Sequence, residues 1–522
     1  MVMHTDTTID AGTAPQTPAT AGRKARPHAT HLELATAPGI VSPERAWEIY
    51  RHRPQPRWWG WATSGGGRAA NVEEGALYQG TTAQVCGLYP FASGSGAAPR
   101  GVPIGRHMYT AEPIGLDPGE WVTSGLISNT GVWVQGQPGI GKSTIVKRLA
   151  TGLSAFGFYL AIPGDVKGEY SALVDSLGGR VWRIGRGLHS LNPLDGGPLR
   201  DALRHASGVE RDRLAETLRA RQISLLEALI VIVRRAGMTV TERVVLGTAL
   251  DAAARQASPG EPTIPDVLRG LDDPPDDLLS VSACDTPAQF RRDQRELRNS
   301  LRLLVNGAIR GLFDRESTVH ADLSTPAMSL DLSALEDDDD DVIAAAMLCS
   351  WSWSAAMIDA ARSSGAHRNV VQIQDELWRA LRVAPGLVER SDALTRMNRH
   401  KGVVQIQVTH SLDDLEALPT EADRAKARGM AGRNNIMILG GMPAGEMDSL
   451  GNIVNVTSRE SSLVSSWAAP PTWVAGGKHP GRGRYLIKSG QRIGLPVEMT
   501  LTASELQLYN TDTAWQKKKE PR

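Results

Sequence analysis

Short apolar runs recur along most of the chain, and the pattern between them changes from region to region. Gly131–Gln135 (GVWVQ) has the make-up of a buried strand, followed by a glycine loop and a helical pattern from Lys142 to about Ser154. Phe158–Pro163 (FYLAIP) predicts another strand. Short apolar strands alternating with helices predict a parallel sheet covered on both faces. From 200 to 315 the pattern turns helical, with Leu214–Arg235 and Val244–Ala254 broken by Pro259–Pro265 and by the run DDPPDD at 272–277. This segment predicts an all-helical insertion. Strand texture returns at Met328–Leu332, Val370–Gln374, Val403–Val408, Asn435–Leu439 and Arg484–Ile487. Thr502-x-x-Glu505 then has the spacing of a capping box opening a last helix.

Two stretches depart from this alternation. Residues 31–120 mix short apolar runs with turn signals (Pro54, Pro56, Gly65–Gly67, Ser93–Gly96), which suits a small, irregular, partly β region. Within it Trp58, Trp59 and Trp61 stand together, three of the 13 tryptophans, and are expected to pack against the following domain rather than anchor a partner. Val342–Ile358 is apolar over about 17 residues, at the short limit for a membrane span. With Asp337 to Asp341 directly before it, a buried core helix is the better expectation. The acidic run itself is expected to form a solvated loop.

Composition narrows the class. A chain of 522 residues exceeds one ordinary core and suggests roughly two to four domains. Lys+Arg 57 against Asp+Glu 57 gives no net charge, which argues against a generally polybasic nucleic-acid binder. The cysteines, Cys86, Cys284 and Cys349, are far apart and form no CxxC pair, so no zinc ribbon is expected and a reducing compartment is. No secretory signal pattern opens the sequence, and residues 1–30 have too little apolar content to order themselves.

The chemistry is concentrated in Gly136-Gln-Pro-Gly139-Ile-Gly141-Lys142-Ser143-Thr144, a match to G-x-x-x-x-G-K-[ST] with a strand before it and a helix after it. Glycines let the backbone wrap a phosphate so that successive N–H groups point inward, and the helix start adds its positive dipole end. Lys142 is expected to reach the β- and γ-phosphates, Ser143 to ligate Mg²⁺, and Thr144 to assist at the α-phosphate. Val370–Gln374 ends in Asp375-Glu376. An acid at that edge of a parallel sheet can hold Mg²⁺ through water, and Glu376 is expected to orient and deprotonate the attacking water. Val403–Val408 ends in Thr409-His410, where a γ-phosphate sensor would lie.

In this order the pieces resemble the VirB-type ATPases of conjugation and type IV secretion, within the FtsK–HerA superfamily, over about residues 100–515. The segments that carry the resemblance are Gly101–Gly105 (GVPIG), Asp165–Tyr170 (DVKGEY), Leu177–Gly179, Leu191–Asp195 (LNPLD), Gly311–Asp314, Leu330–Ser333 and Asp375–Trp378 (DELW). The resemblance implies a RecA-like motor with a helical insertion, ATP and Mg²⁺ as ligands, and ATP hydrolysis that drives a cell-envelope channel. It also implies a homo-oligomeric, hexameric ring at the cytoplasmic face of the membrane with secretion-complex proteins as partners, and an arginine acting across the subunit boundary, with Arg396, Arg399 and Arg433 as candidates. His410 stands where the family usually has Gln. The region before the motor is shorter than the family's, so docking is assigned to about 31–120 or to another polypeptide. A DNA-pumping translocase of the same fold and a nucleotide-binding scaffold with little turnover are the alternatives. The expected organisation is a lead-in (1–30), a docking region (31–120), the motor in two parts (121–199 and 316–500) around the insertion (200–315), and a C-terminal helix and tail (501–522).

Overall fold

A computed structural model of the chain describes residues 100–509, apart from 259, 364–367, 396–397, 469–478 and 491. The expected disordered lead-in, most of the docking region and the tryptophan cluster therefore lie outside the described residues.

The strands are β1 Val102–His107, β2 Pro113–Leu116, β3 Gly131–Gln135, β4 Tyr159–Asp165, β5 Arg180–Arg183, β6 Ala327–Asp331, β7 Val370–Gln374, β8 Val403–Thr409, β9 Ile436–Leu439, β10 Arg484–Ser489 and β11 Leu495–Glu498. They form one sheet in the order β2-β1-β11-β10-β9-β3-β8-β7-β4-β6-β5. From β9 to β5 every neighbouring pair is parallel. From β9 to β2 every pair is antiparallel. Residues 102–116, expected in the N-terminal region, thus supply the outer two strands of this sheet.

The strands alternate as two-sided burial requires. On one face Val132, Val134, Val371, Ile373, Val404, Ile406 and Val408 pack with Ile145, Val146, Leu149 and Leu153 of the helix Lys142–Ala155. On the other, Trp133, Tyr159 and Met437 join a core that runs through the helix Asp340–Ser363 into the insertion. That helix is apolar enough to cross a bilayer, yet 89% of its most apolar window is buried within the fold, the mark of a core helix. The insertion, between β5 and β6, is helical from Pro198 to Asn306, its longest helix being Gly208–Arg234. Of the acids 336–341 expected in a solvated loop, 336–339 do lie in a loop, with Glu336, Asp337 and Asp339 exposed, but three are paired: Asp338 with Arg186, Asp340 with Arg379 and Arg382, and Asp341 with Arg235. Asp340 and Asp341 lie in the first turn of the helix, where the dipole favours negative charge.

The second face also buries a polar seam. β7 and β8 both begin Val-Val-Gln-Ile-Gln and pair in register, Gln372 opposite Gln405 and Gln374 opposite Gln407. Gln405 Nε2 donates to Gln374 Oε1 at 2.6 Å, and Asn434 Nδ2 donates to Gln407 Oε1 at 3.1 Å. Amides left unpaired there would each cost about 1–3 kcal/mol.

Candidate nucleotide site

The chemistry-bearing residues gather at the carboxyl ends of the parallel strands because the strand order brings them there. β8 lies between β3 and β7. Whatever follows β8 must therefore fall between the loop after β3 and the acids after β7. His410 does so. Lys142 Nζ donates to His410 Nδ1 at 2.8 Å, and His410 Nε2 meets Glu376 Oε1 at 2.9 Å. An ammonium can only donate, so Nδ1 accepts and the ring's proton sits on Nε2, donated to Glu376. Thr409 is buried, its hydroxyl turned to the Ser411 carbonyl at 3.3 Å.

The loop has the geometry its sequence predicts. Gly139 and Gly141 take φ of +81° and +104°, the left-handed region that favours glycine. A Cβ on Gly139 would meet nothing within 4 Å, so the loop's outer turn opens onto free space. Ser143 and Thr144 stand half-buried in the first turn of the helix that Gly141 caps. Lys142 folds back: Nζ donates to the carbonyls of Gly136 at 2.7 Å and Gln137 at 3.2 Å as well as to His410. Burial pulls its pKa down to about 8, with Asp375 and Glu376 resisting the shift.

The acidic side is more crowded. Glu376 adopts φ +53°, a left-handed conformation uncommon for a non-glycine residue, at a cost of roughly 1–2 kcal/mol. Its Oε1 accepts from His410 and Lys167, and its Oε2 accepts from Trp378 Nε1 at 2.6 Å. Burial would raise its pKa, but the His410 hydrogen bond and the Lys167 ammonium outweigh it and hold the carboxyl at about 2. Asp375 behaves oppositely: burial, then the neighbouring Glu376, raises it, while Tyr170 Oη donates to Oδ2 at 2.7 Å.

Tyr170 and Lys167 arrive on a turn that the strand itself builds. Pro163-Gly164 shifts the β4–β6 register, with Gly164 at φ +100°, and such a bulge re-aims the next side chain. Asp165 then accepts from the N–H groups of Glu169 at 3.0 Å and Tyr170 at 2.8 Å. Burial lifts Asp165 to about 7, with Asp331 and Asp375 adding to the rise. Lys147, 1% exposed, sits 5.6 Å from the Tyr170 ring centre on the same side.

The structure thus brings together Lys142, His410 and Glu376, with Asp375 adjoining Glu376. Arg433 is held in the same subunit by an ion pair with Asp392. Arg396 lies outside the described residues, as does the side chain of Arg399. Motif reasoning did not assign Lys167, Tyr170 or Trp378 to the site. Lys167 and Tyr170 stood inside the DVKGEY segment and Trp378 inside DELW, but nothing in spacing aims them at the acids.

A Mg²⁺ ion fits this donor set. Among the described residues no group of three or more His, Cys, Asp or Glu forms a metal cage. Mg²⁺ commonly binds through one or two side chains plus substrate phosphates, and Ser143 and Asp375 offer that.

No family model and no curated protein matches the sequence. Among solved structures, VirB4 of Thermoanaerobacter pseudethanolicus is 18% identical, covering 79% of this chain and 99% of that one with a TM-score of 0.59. The plasmid coupling protein TrwB in complex with ADP and Mg²⁺ is 12% identical over 77% of this chain and 91% of that one, with a TM-score of 0.47. The cytoplasmic domain of the type VII secretion ATPase EccC of Thermomonospora curvata is also 12% identical, over 79% of this chain and 31% of that one, with a TM-score of 0.31. The chain has the RecA-like P-loop NTPase fold that VirB4 has.

Proposed function

We propose that this chain is an ATP-hydrolysing motor of conjugative transfer or type IV-like secretion, acting as a homo-oligomeric ring at the cytoplasmic face of the membrane with channel proteins as partners. The observation that carries the reading is the chain Lys142–His410–Glu376, which joins a complete phosphate loop to an acid pair through one side chain. Gly136, Gly139 and Gly141 shape the cradle, and the N–H groups of the loop bind the phosphates. Lys142, drawn off its carbonyls, neutralises β- and γ-phosphate charge. Ser143 and Asp375 would hold Mg²⁺, which would supply neutralisation of the phosphate charge. Thr144 contacts the α-phosphate, and Glu376 orients and deprotonates the attacking water.

A carboxylate at a pKa of about 2 with three hydrogen bonds is a weak base. Drawing Lys142 onto the phosphate removes the donor to His410 Nδ1, and His410 can then reorient and release Glu376. His410 thereby acts as the sensor, with an imidazole doing what an amide would. An arginine from the neighbouring subunit completes the site, with Arg396, Arg399 and Arg433 as candidates.

The test is ATP hydrolysis by the purified chain beside Lys142→Ala and Glu376→Gln, with and without double-stranded DNA, and with oligomer mass measured in each nucleotide state. The secretion-motor reading expects hydrolysis that both substitutions abolish and that DNA changes little. Strong DNA stimulation with steep salt dependence would favour the DNA-pumping alternative. Nucleotide binding without single-turnover hydrolysis in the assembled oligomer would leave the scaffold.

A further inference from the structure

The phosphate loop touches the antiparallel part of the sheet as well as the strand that carries it. Tyr485 Oη, from β10, donates to the Gly141 carbonyl at 2.7 Å. Two residues earlier, the N–H of Gly483 donates to the Ile140 carbonyl at 3.2 Å. In a trans peptide the C=O and the following N–H point in opposite directions. Fixing the carbonyl of Ile140 therefore turns the N–H of Gly141 to the other side, and fixing the carbonyl of Gly141 does the same for the N–H of Lys142. These are the amides a phosphate would need.

We propose that Tyr485 is a positioning residue for nucleotide binding, and that with the Gly483 N–H it braces the loop so that consecutive amides face the phosphate before the nucleotide arrives. The inference rests on the reading of this loop as a nucleotide site. The contact is close enough to require glycine: a Cβ on Gly141 would lie 2.8 Å from Tyr485 Oη. The brace is itself anchored. Met499 N–H donates to the Gly483 carbonyl at 2.8 Å, and β10 pairs with both β9 and β11. At its far end Lys488, 2% exposed, donates to Glu460 at 2.8 and 3.0 Å. Preorganisation of this kind acts on affinity, because ordering of the loop no longer has to accompany binding.

Tyr485→Phe isolates the hydroxyl. The ring stays, and the Gly141 carbonyl keeps its helical bond from Ile145 N–H at 3.1 Å, so no buried acceptor is orphaned. Calorimetric titration of the full chain with ADP and Mg²⁺ should show the Kd rising about three- to tenfold, as ordering of the loop comes to accompany binding. Turnover at saturating ATP should stay as in the native chain, and the melting temperature without nucleotide should fall by no more than about 2 °C. An unchanged Kd overturns the brace while leaving the nucleotide site intact. A larger fall in the nucleotide-free melting temperature, with affinity and turnover falling together, also overturns it, since the hydroxyl would then serve the fold alone. Failure of the native chain to bind ADP or ATP would instead remove the reading beneath it.

Discussion

On the β3 side of the site the working parts are fixed by backbone: glycines at positive φ, a helix start, and carbonyls tied to β10. On the β7 side they are fixed by side chains from separate segments, with Lys167, His410 and Trp378 converging on one carboxylate. The first arrangement can accept a phosphate with little rearrangement. The second must come apart before Glu376 can serve as a base. On the proposed reading, binding is built in, whereas hydrolysis waits on a change.

The sharpest way to break this contrast is Lys142→Ala, which should abolish detectable ATP binding in a filter or calorimetric assay; retained binding would show that the loop is not the nucleotide site. Next in size, Glu376→Gln should lower single-turnover hydrolysis by about a hundredfold or more while ATP affinity stays within about threefold. Equal loss of both would dissolve the distinction between the two sides.

Lys167→Met should act on the acid side alone. Without that ammonium the Glu376 pKa rises from about 2, so the protonated fraction grows at low pH and the acid limb of the turnover profile moves upward. Rates followed from about pH 8 down to the limit set by acid unfolding would reveal it; an unmoved limb would separate Lys167 from the base.

The smallest effect belongs to the loop side. Lys142 has a pKa of about 8 before binding, and phosphate charge should raise it, so binding takes up protons above pH 8. Affinity should fall as pH rises, by about twofold at pH 8 and approaching tenfold per unit above it. Calorimetry in buffers of different ionisation heat measures the uptake directly.

The same contrast explains what the sequence made legible. The phosphate loop is local, so nine consecutive residues announce it, and β3 begins and ends where the apolar run does. Strands β7 and β8 were equally plain, being β-branched and buried. β5 was not: Arg180-Val-Trp-Arg183 is an edge strand with charged ends and carries no apolar run. β11, with Pro496 inside it, also gave no strand signal. The clamp on Glu376 stayed invisible for a different reason. Lys167 and Glu376 are 209 positions apart, and only the placement of β4 beside β7 makes them neighbours.

The twin Val-Val-Gln-Ile-Gln strands carry a hazard that the folded sheet conceals. Uncharged, β-branched and free of glycine and proline, each has the composition that stacks on copies of itself in fibrils. β8 must wait for β3, more than 260 residues earlier in the chain, before both its edges are covered. Only the first twin runs directly into two carboxylates, Asp375 and Glu376, which repel a stacking copy. By this reasoning the acid pair should act as a gatekeeper against aggregation as well as being a candidate for chemistry. Neutralising it should leave a chain that precipitates more readily on refolding, whatever becomes of its turnover.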